Sequence, residues 1–317
     1  MTPSRRSFLL ATLAILGAGK SMPAFAAGVP GKKFIFILLR GAMDGLSALI
    51  PRDDALIQLR QNLLPPQSER LTIGQGFDLH PQLSFLHELF EQGEASFVPA
   101  AATSYRSRSH FDGQDVLELL GRPGEQNGWL NRVAQSAGGG GLSVGHSLPL
   151  AMRGDASVDT WSPPIFESVS EDLLDRLMRL YQSEGLFHDE LTQARTVELS
   201  GTQMTQDKSG AIKDSDLLAA LGDLMMGEDA PGIGMISIAG WDTHAQQERR
   251  LGERFATLSD GLRRLKSNLG TCWENTAIIM CSEFGRTAAA NGTGGTDHGT
   301  GGLVTLLGGA IKGRRIH

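Results

Sequence analysis

Seven carboxylates and imidazoles stand in short motifs whose side chains suit metal chemistry. They are Asp44 in RGAMDGL, His110 in SHFDGQD, Asp242 and His244 in GWDTHAQQ, Glu283 in SEFGRT, and Asp297 with His298 in TGGTDHGTGG. Carboxylate oxygen and imidazole nitrogen together form a donor set for Zn²⁺, Mn²⁺ or Fe²⁺. The chain has 2 cysteines, Cys272 and Cys281, too few for a thiolate-built structural zinc site. Several carboxylates are needed where two ions sit roughly 3.5 to 4 Å apart and clamp a transferring phosphoryl group. Taken singly, each Asp-X-His pair reads equally as a helix cap or a hydrogen-bonded pair.

Nucleophile candidates are fewer. Ser109 directly precedes HFDGQDVLELL, a stretch of helical periodicity, which makes it an N-cap and also places a hydroxyl beside free backbone N–H groups that hold anions. Arg40, Arg106, Arg108 and Arg286 have the guanidinium geometry for paired hydrogen bonds to ester oxygens. Ser109, His110 and Arg286 are therefore the catalytic candidates, and Asp44, Asp242, His244, Glu283, Asp297 and His298 the metal ligands. Of the last pair, His298 is the stronger ligand candidate, and Asp297 is either a ligand too or a group that orients His298 from behind. GLSVG at Gly141 to Gly145 spells a nucleophile elbow, but a glycine run precedes it and no helix follows. No Gly-X-Gly-X-X-Gly follows the first strand and no phosphate-binding loop ends in Gly-Lys-Ser/Thr, which counts against nicotinamide and nucleoside-triphosphate chemistry.

These motifs share a position, because each follows or borders a short apolar run. Phe34 to Leu39, Ala95 to Ala100, Gly232 to Gly240, Thr276 to Cys281 and Gly302 to Ala310 are continuous enough to be buried strands. Between them lie helical patterns, the clearest at about 245 to 269 with Leu251, Phe255, Leu258, Leu262 and Leu265 on one face. Strands alternating with helices predict an α/β fold, a doubly wound and mostly parallel sheet. In such sheets ligands bind beyond the carboxyl ends of the strands, where the candidates fall. Residues 165 to 227 hold helical stretches without a strand and are expected to form a helical insertion on that core.

The 317 residues are 40 % hydrophobic, ordinary for a globular protein. Net charge is −6, and no Lys/Arg stripe interleaved with aromatics is present, so nucleic acid is not an expected partner. At the amino end, SRRSFLL, an apolar run to Gly19 and Ala24-Phe25-Ala26 form a twin-arginine export signal and a small-residue cleavage site. The apolar run is about a dozen residues, short of the roughly 20 that span a bilayer. Residues 1–26 are thus expected to be removed, with periplasmic delivery by the twin-arginine machinery and no permanent membrane span. A Cys272–Cys281 disulfide needs Cα atoms roughly 4.4 to 6.8 Å apart, which the sequence leaves open.

RGAMDGL, LHPQL, SHFDGQD, Gly128-Trp129, GWDTHAQQ, SEFGRT and NGTGGTDHG, in this order, resemble the domain-of-unknown-function 1501 (DUF1501) family. The resemblance runs from about residue 33 to 317 and implies the fold of the alkaline phosphatase and sulfatase superfamily. It further implies two metal positions, with Asp44 bridging, Asp242 and His244 on one ion, Glu283 in place of an Asp-His pair, His298 a later ligand, and Ser109 the nucleophile. The carboxyl end resembles a family member shortened by several tens of residues. The function expected is periplasmic, metal-dependent hydrolysis of phosphate or sulfate esters, using divalent ions such as Zn²⁺ or Mn²⁺. The alternative is a non-catalytic binding or accessory protein that takes an envelope glycan in the same cleft.

Overall fold

The first long strand shows how the chain divides its core. In β1 (Lys33–Leu39) every residue is buried, and alternate side chains of a strand point to opposite faces. Ile35, Ile37 and Leu39 belong to one apolar cluster, Phe34, Phe36 and Leu38 to another. A strand buried on both faces must lie in the middle of a covered sheet.

The computed structural model describes residues 31–120, 125–163, 212–226 and 230–317. Its strands after β1 are β2 (Leu49–Pro51), β3 (Leu71–Gly74), β4 (Phe77–Leu79), β5 (Ala95–Ala101), β6 (Gly141–Val144), β7 (Val158–Trp161), β8 (Ile233–Ile238), β9 (Thr276–Cys281), β10 (Gly302–Leu307) and β11 (Arg315–Ile316). Eight form one sheet in the order β11-β5-β10-β9-β1-β8-β6-β7, and β2-β4-β3 form a small antiparallel sheet beside it. In the large sheet β10 alone opposes its neighbours: it is antiparallel to β5 and β9, while the other pairings are parallel.

The helices are α1 (Gly45–Ala48), α2 (Asp54–Leu59), α3 (Ser84–Glu91), α4 (His110–Leu119), α5 (Trp129–Ser136), α6 (Asp214–Met225) and α7 (Gln247–Leu269). Phe85, Leu86, Leu89 and Phe90 of α3, Leu218, Leu221 and Met225 of α6, and Leu251, Phe255, Leu258, Leu262 and Leu265 of α7 cover one face. Leu130 and Ala134 of α5 cover the other, with Leu117 of α4 packed against them. The result is the mixed α/β, mostly parallel architecture that the alternating pattern predicted.

Three details add to the sequence reading. The apolar face of α6 lies in the main core against α7, so this end of the expected helical insertion is part of the sandwich. The rest of that expectation, 165 to 211, and the expected export signal lie outside the described residues. Gly141–Val144 of GLSVG form β6 with Ser143 fully buried in it, which agrees with the rejection of a nucleophile elbow there. Both cysteines are free, Cys281 buried and Cys272 partly so.

Candidate functional site

The loops at one edge of the large sheet carry the chemistry. Four strands adjacent in the sheet, or separated only by β10, end there: β5 leads to His110, β9 to Glu283 and Arg286, β1 to Gly41 and Asp44, and β8 to Asp242 and His244. Because β10 runs the other way, its amino end lies at this edge, so the preceding loop delivers His298 beside residues that follow strands. Glycines let that loop lie flat on its neighbours. A Cβ at Gly295 would stand 2.3 Å from the His244 carbonyl carbon, and one at Gly299 2.4 Å from that of Arg286. Backbone is also held in the left-handed region at Ala42, Ala100, Arg108 and Gln246, all on this edge; such strain gathers where a site is over-determined by its surroundings.

Three imidazoles and one carboxylate converge. His298 Nε2 lies 3.0 Å from His110 Nε2 and 3.0 Å from His244 Nε2. Asp242 Oδ1 is 2.9 Å from His244 Nε2 and 3.3 Å from His298 Nε2, and Oδ2 is 3.5 Å from His110 Nε2. Among the described residues, His110, Asp242 and His298 are the group whose ligand atoms are mutually close enough to hold one metal ion.

The far side of each ring decides what this convergence means. His110 Nδ1 faces Glu283 Oε1 at 2.7 Å, and His298 Nδ1 faces the Arg108 carbonyl at 2.9 Å. Both partners only accept, so in the neutral rings the hydrogen is assigned to Nδ1 and each Nε2 presents a lone pair. His244 Nδ1 faces Asp297 Oδ1 at 3.6 Å, an ion-pair distance rather than a hydrogen bond. Lone pairs and a carboxylate aimed at one another repel unless a cation lies among them. Ring nitrogens shared by a small tetrahedral ion stand about 3.3 Å apart, near the spacings found, and the oriented far-side acceptors are those of metal-binding histidines. The donor set fits a divalent metal ion.

Glu283 stands behind the cluster. It is 1 % exposed and, besides His110, accepts from Gly41 N at 2.9 Å, Gln114 Nε2 at 3.2 Å and Ser282 Oγ at 3.1 Å, so it orients a ligand. Arg286 is buried, and its guanidinium donates to the carbonyls of Ala42, Thr296, Gly41 and Trp241 and to Asp242 Oδ1. Burial would raise the Asp242 pKa, but the Arg286 hydrogen bond and charge, with His244 and His110, hold it below the usual carboxylate value. Asp242 is therefore an anion that grips a fixed cation with one oxygen and faces His110 with the other.

Other candidates lie apart from this convergence. Asp44 caps α1 through Leu46 N and accepts from Ser47 Oγ, Arg60 and Gln247; it is wholly buried, and both oxygens are engaged. Asp297 is largely exposed and accepts from Asn291 Nδ2 at 3.2 Å. Ser109 sits at the start of α4 next to His110, and its hydroxyl makes no capping bond.

Two uncharged amides went unnoticed in the sequence. Gln247 Oε1 accepts from Thr243 Oγ1 at 3.1 Å and Thr296 Oγ1 at 2.6 Å, while its Nε2 donates to Asp44. Gln114 links Arg40 to Glu283. Gln247 occurs within GWDTHAQQ, three residues beyond His244, yet nothing in an amide's chemistry marks it from sequence as a hub.

The sequence model of a family described as a protein of unknown function (DUF1501) matches residues 102–317. The chain belongs to the DUF1501 family. The DUF1501 match contains every member of the convergence, from His110 to His298, and leaves Asp44 outside it. Curated proteins gave no match. Solved structures similar to this DUF1501 chain include a protein in the alkaline phosphatase superfamily from Vibrio parahaemolyticus, with 12 % identity, TM-score 0.38, and coverage of 99 % of this chain and 71 % of that one. Another is the lipoteichoic acid synthase LtaP from Listeria monocytogenes, with 9 % identity, TM-score 0.35, and coverage of 94 % and 70 %. A third is the lipooligosaccharide phosphoethanolamine transferase A from Neisseria meningitidis, with 9 % identity, TM-score 0.41, and coverage of 92 % and 53 %. At these TM-scores the likeness assigns no activity to the chain.

Proposed function

We propose that this DUF1501 protein is a metal-dependent hydrolase of phosphate or sulfate esters, exported to the periplasm by the twin-arginine route. The observation that carries the reading is the meeting of the His110 and His298 Nε2 lone pairs with the Asp242 carboxylate, with the His244 ring beside them, on an open sheet edge beside Ser109. His110, His298 and Asp242 would hold the ion, with His244 alongside. A divalent ion there would polarise an ester oxygen and stabilise charge that develops on it.

The chain's own residues have the remaining roles. Glu283 keeps the His110 hydrogen on Nδ1, and the Arg108 carbonyl does the same for His298. Arg286 holds Asp242 ionised and in place. Ser109 offers a hydroxyl not consumed in capping, at a helix start whose first N–H groups favour a bound anion. A nucleophile in that position would form a bond to phosphorus or sulfur as the bond to the leaving alcohol breaks, the alcohol taking up a proton, and water would then hydrolyse the serine ester, while the helix end stabilises the ester oxygens.

The test is a panel of an aryl phosphate, an aryl phosphodiester and an aryl sulfate, assayed with Zn²⁺ or Mn²⁺ restored after chelation. The proposal expects metal-dependent turnover of at least one ester, lost in Ser109→Ala and in His298→Ala. A protein that takes up metal and binds an anionic envelope glycan without turning over any ester would instead favour the binding-protein alternative. For export, the reading expects the chain in the periplasmic fraction, and retention in the cytoplasm when Arg5 and Arg6 are replaced by Lys. Retention of the unaltered chain would overturn it.

A further inference from the structure

We infer that the site holds one exchangeable divalent ion, and that Arg286 supplies a second, permanent positive charge at the other oxygen of Asp242. The inference rests on the metal reading and narrows it to a single ion.

The accounting of acceptors leads there. Among the described residues of the sheet edge, acceptors without donors of their own converge once, at the Nε2 atoms of His110 and His298 and at Asp242 Oδ2. A neighbouring set of acceptors, the carbonyls of Gly41, Ala42, Trp241 and Thr296 with Asp242 Oδ1, is already filled by the guanidinium of Arg286. That guanidinium side chain is 0 % exposed, and arginine stays charged at any physiological pH. It also reaches to 3.4 Å from His244 Nε2, so it closes one side of the histidine cluster.

Carboxylates for a second ion are committed elsewhere. Asp44 is neutralised by buried Arg60, and its oxygens also accept from Ser47, Gln247 and Leu46 N. Moving it to a metal would strand the Arg60 charge, which is 0 % exposed, at a cost of several kcal/mol. Glu283 is enclosed by four donors, one of them the ring of His110 itself. Asp297 accepts from Asn291 Nδ2 and faces the Nδ1 side of His244, away from the Nε2 atoms that converge. The electrostatic consequence is a site with three positive charges, two on the exchangeable ion and one on the covalently fixed guanidinium, where a two-ion centre would have four. Such a site binds an anionic group against the exchangeable ion, with Asp242 shared between the two cations.

Titration of metal-free full-length protein with Zn²⁺, followed by native mass spectrometry, is expected to saturate at one ion per chain. With Mn²⁺ in place of Zn²⁺, the electron paramagnetic resonance spectrum should be that of an isolated, uncoupled ion. Asp44→Asn should keep the same stoichiometry, since it removes no ligand. Two bound ions, a spin-coupled Mn²⁺ pair, or an Asp44→Asn variant that folds but takes up no ion would overturn the inference and leave a metal site in place. If Asp44→Asn does not fold, the wild-type stoichiometry and spectrum decide the matter alone. A wild-type chain that binds no ion at all would overturn the metal reading itself.

Discussion

Replacing Gln247 by Met should weaken metal binding without touching a ligand. Gln247 is fully buried at the start of α7, and one amide ties three loops together. Its oxygen receives the hydroxyls of Thr243, which lies between Asp242 and His244, and of Thr296, two residues before His298. Its nitrogen donates to Asp44. Methionine fills a similar volume but leaves two hydroxyls, both 0 % exposed, without that acceptor. At about 1 to 3 kcal/mol for each buried group left unpaired, the loss comes to about 2 to 6 kcal/mol. That is a large share of the roughly 5 to 15 kcal/mol by which domains are stable.

Removing an outer partner of metal ligands typically weakens affinity about 10 to 100-fold, and the same range is expected here for Zn²⁺ measured against a competing chelator. Thr296→Val removes one hydroxyl only and should show a smaller change of the same sign. Urea unfolding and chelator competition, run on both variants, separate the two effects. If stability falls as calculated but the folded variants bind Zn²⁺ as tightly as wild type, Gln247 holds the fold and not the site, and the reasoning is wrong.

Two further outcomes follow from single residues. Gly299→Ala forces a Cβ onto the Arg286 backbone at 2.4 Å, where no flexible side chain can yield; it should displace His298 and reduce Zn²⁺ affinity at least about tenfold, and wild-type affinity in the chelator assay would count against the packing described. His80 is buried, and desolvation pushes its pKa down from 6.5 to about 4, so between those values the unfolded chain takes up a proton that the folded chain refuses. Its contribution is intact above about pH 6.5 and is lost as pH falls toward about 4, by about 3 kcal/mol in all. Urea midpoints from pH 7.5 to 5 should therefore fall more steeply for wild type than for His80→Gln, and parallel slopes would refute this assignment.

Particular elements show where the sequence was informative. β1, β5, β8, β9 and β10 were visible as continuous apolar runs, because a strand covered on both faces has no polar side. β3 and β4 are 4 and 3 residues long, too short for a period to register, and β6 hid behind the glycines that precede it. The direction of β10 was not legible either, since an apolar run has no polarity; yet that direction is what places His298 opposite His110 and His244. Asp44 had the residue type and position of a ligand. Its actual partners are Arg60, 16 residues on, and Gln247, 203 residues on, and a carboxylate reads the same from sequence whether a guanidinium or a metal ion awaits it. Glu283 is similar: only the 2.7 Å contact with His110 Nδ1 separates a residue that holds a ligand from one that is a ligand.

The most direct measurement is anomalous X-ray diffraction from crystals of the full chain soaked in Zn²⁺, with data collected on both sides of the zinc absorption edge. The account predicts one anomalous peak per chain, enclosed by the Nε2 atoms of His110 and His298 and the carboxylate of Asp242. An empty cluster under saturating Zn²⁺, or a peak at Asp44 or Glu283 in its place, would contradict it.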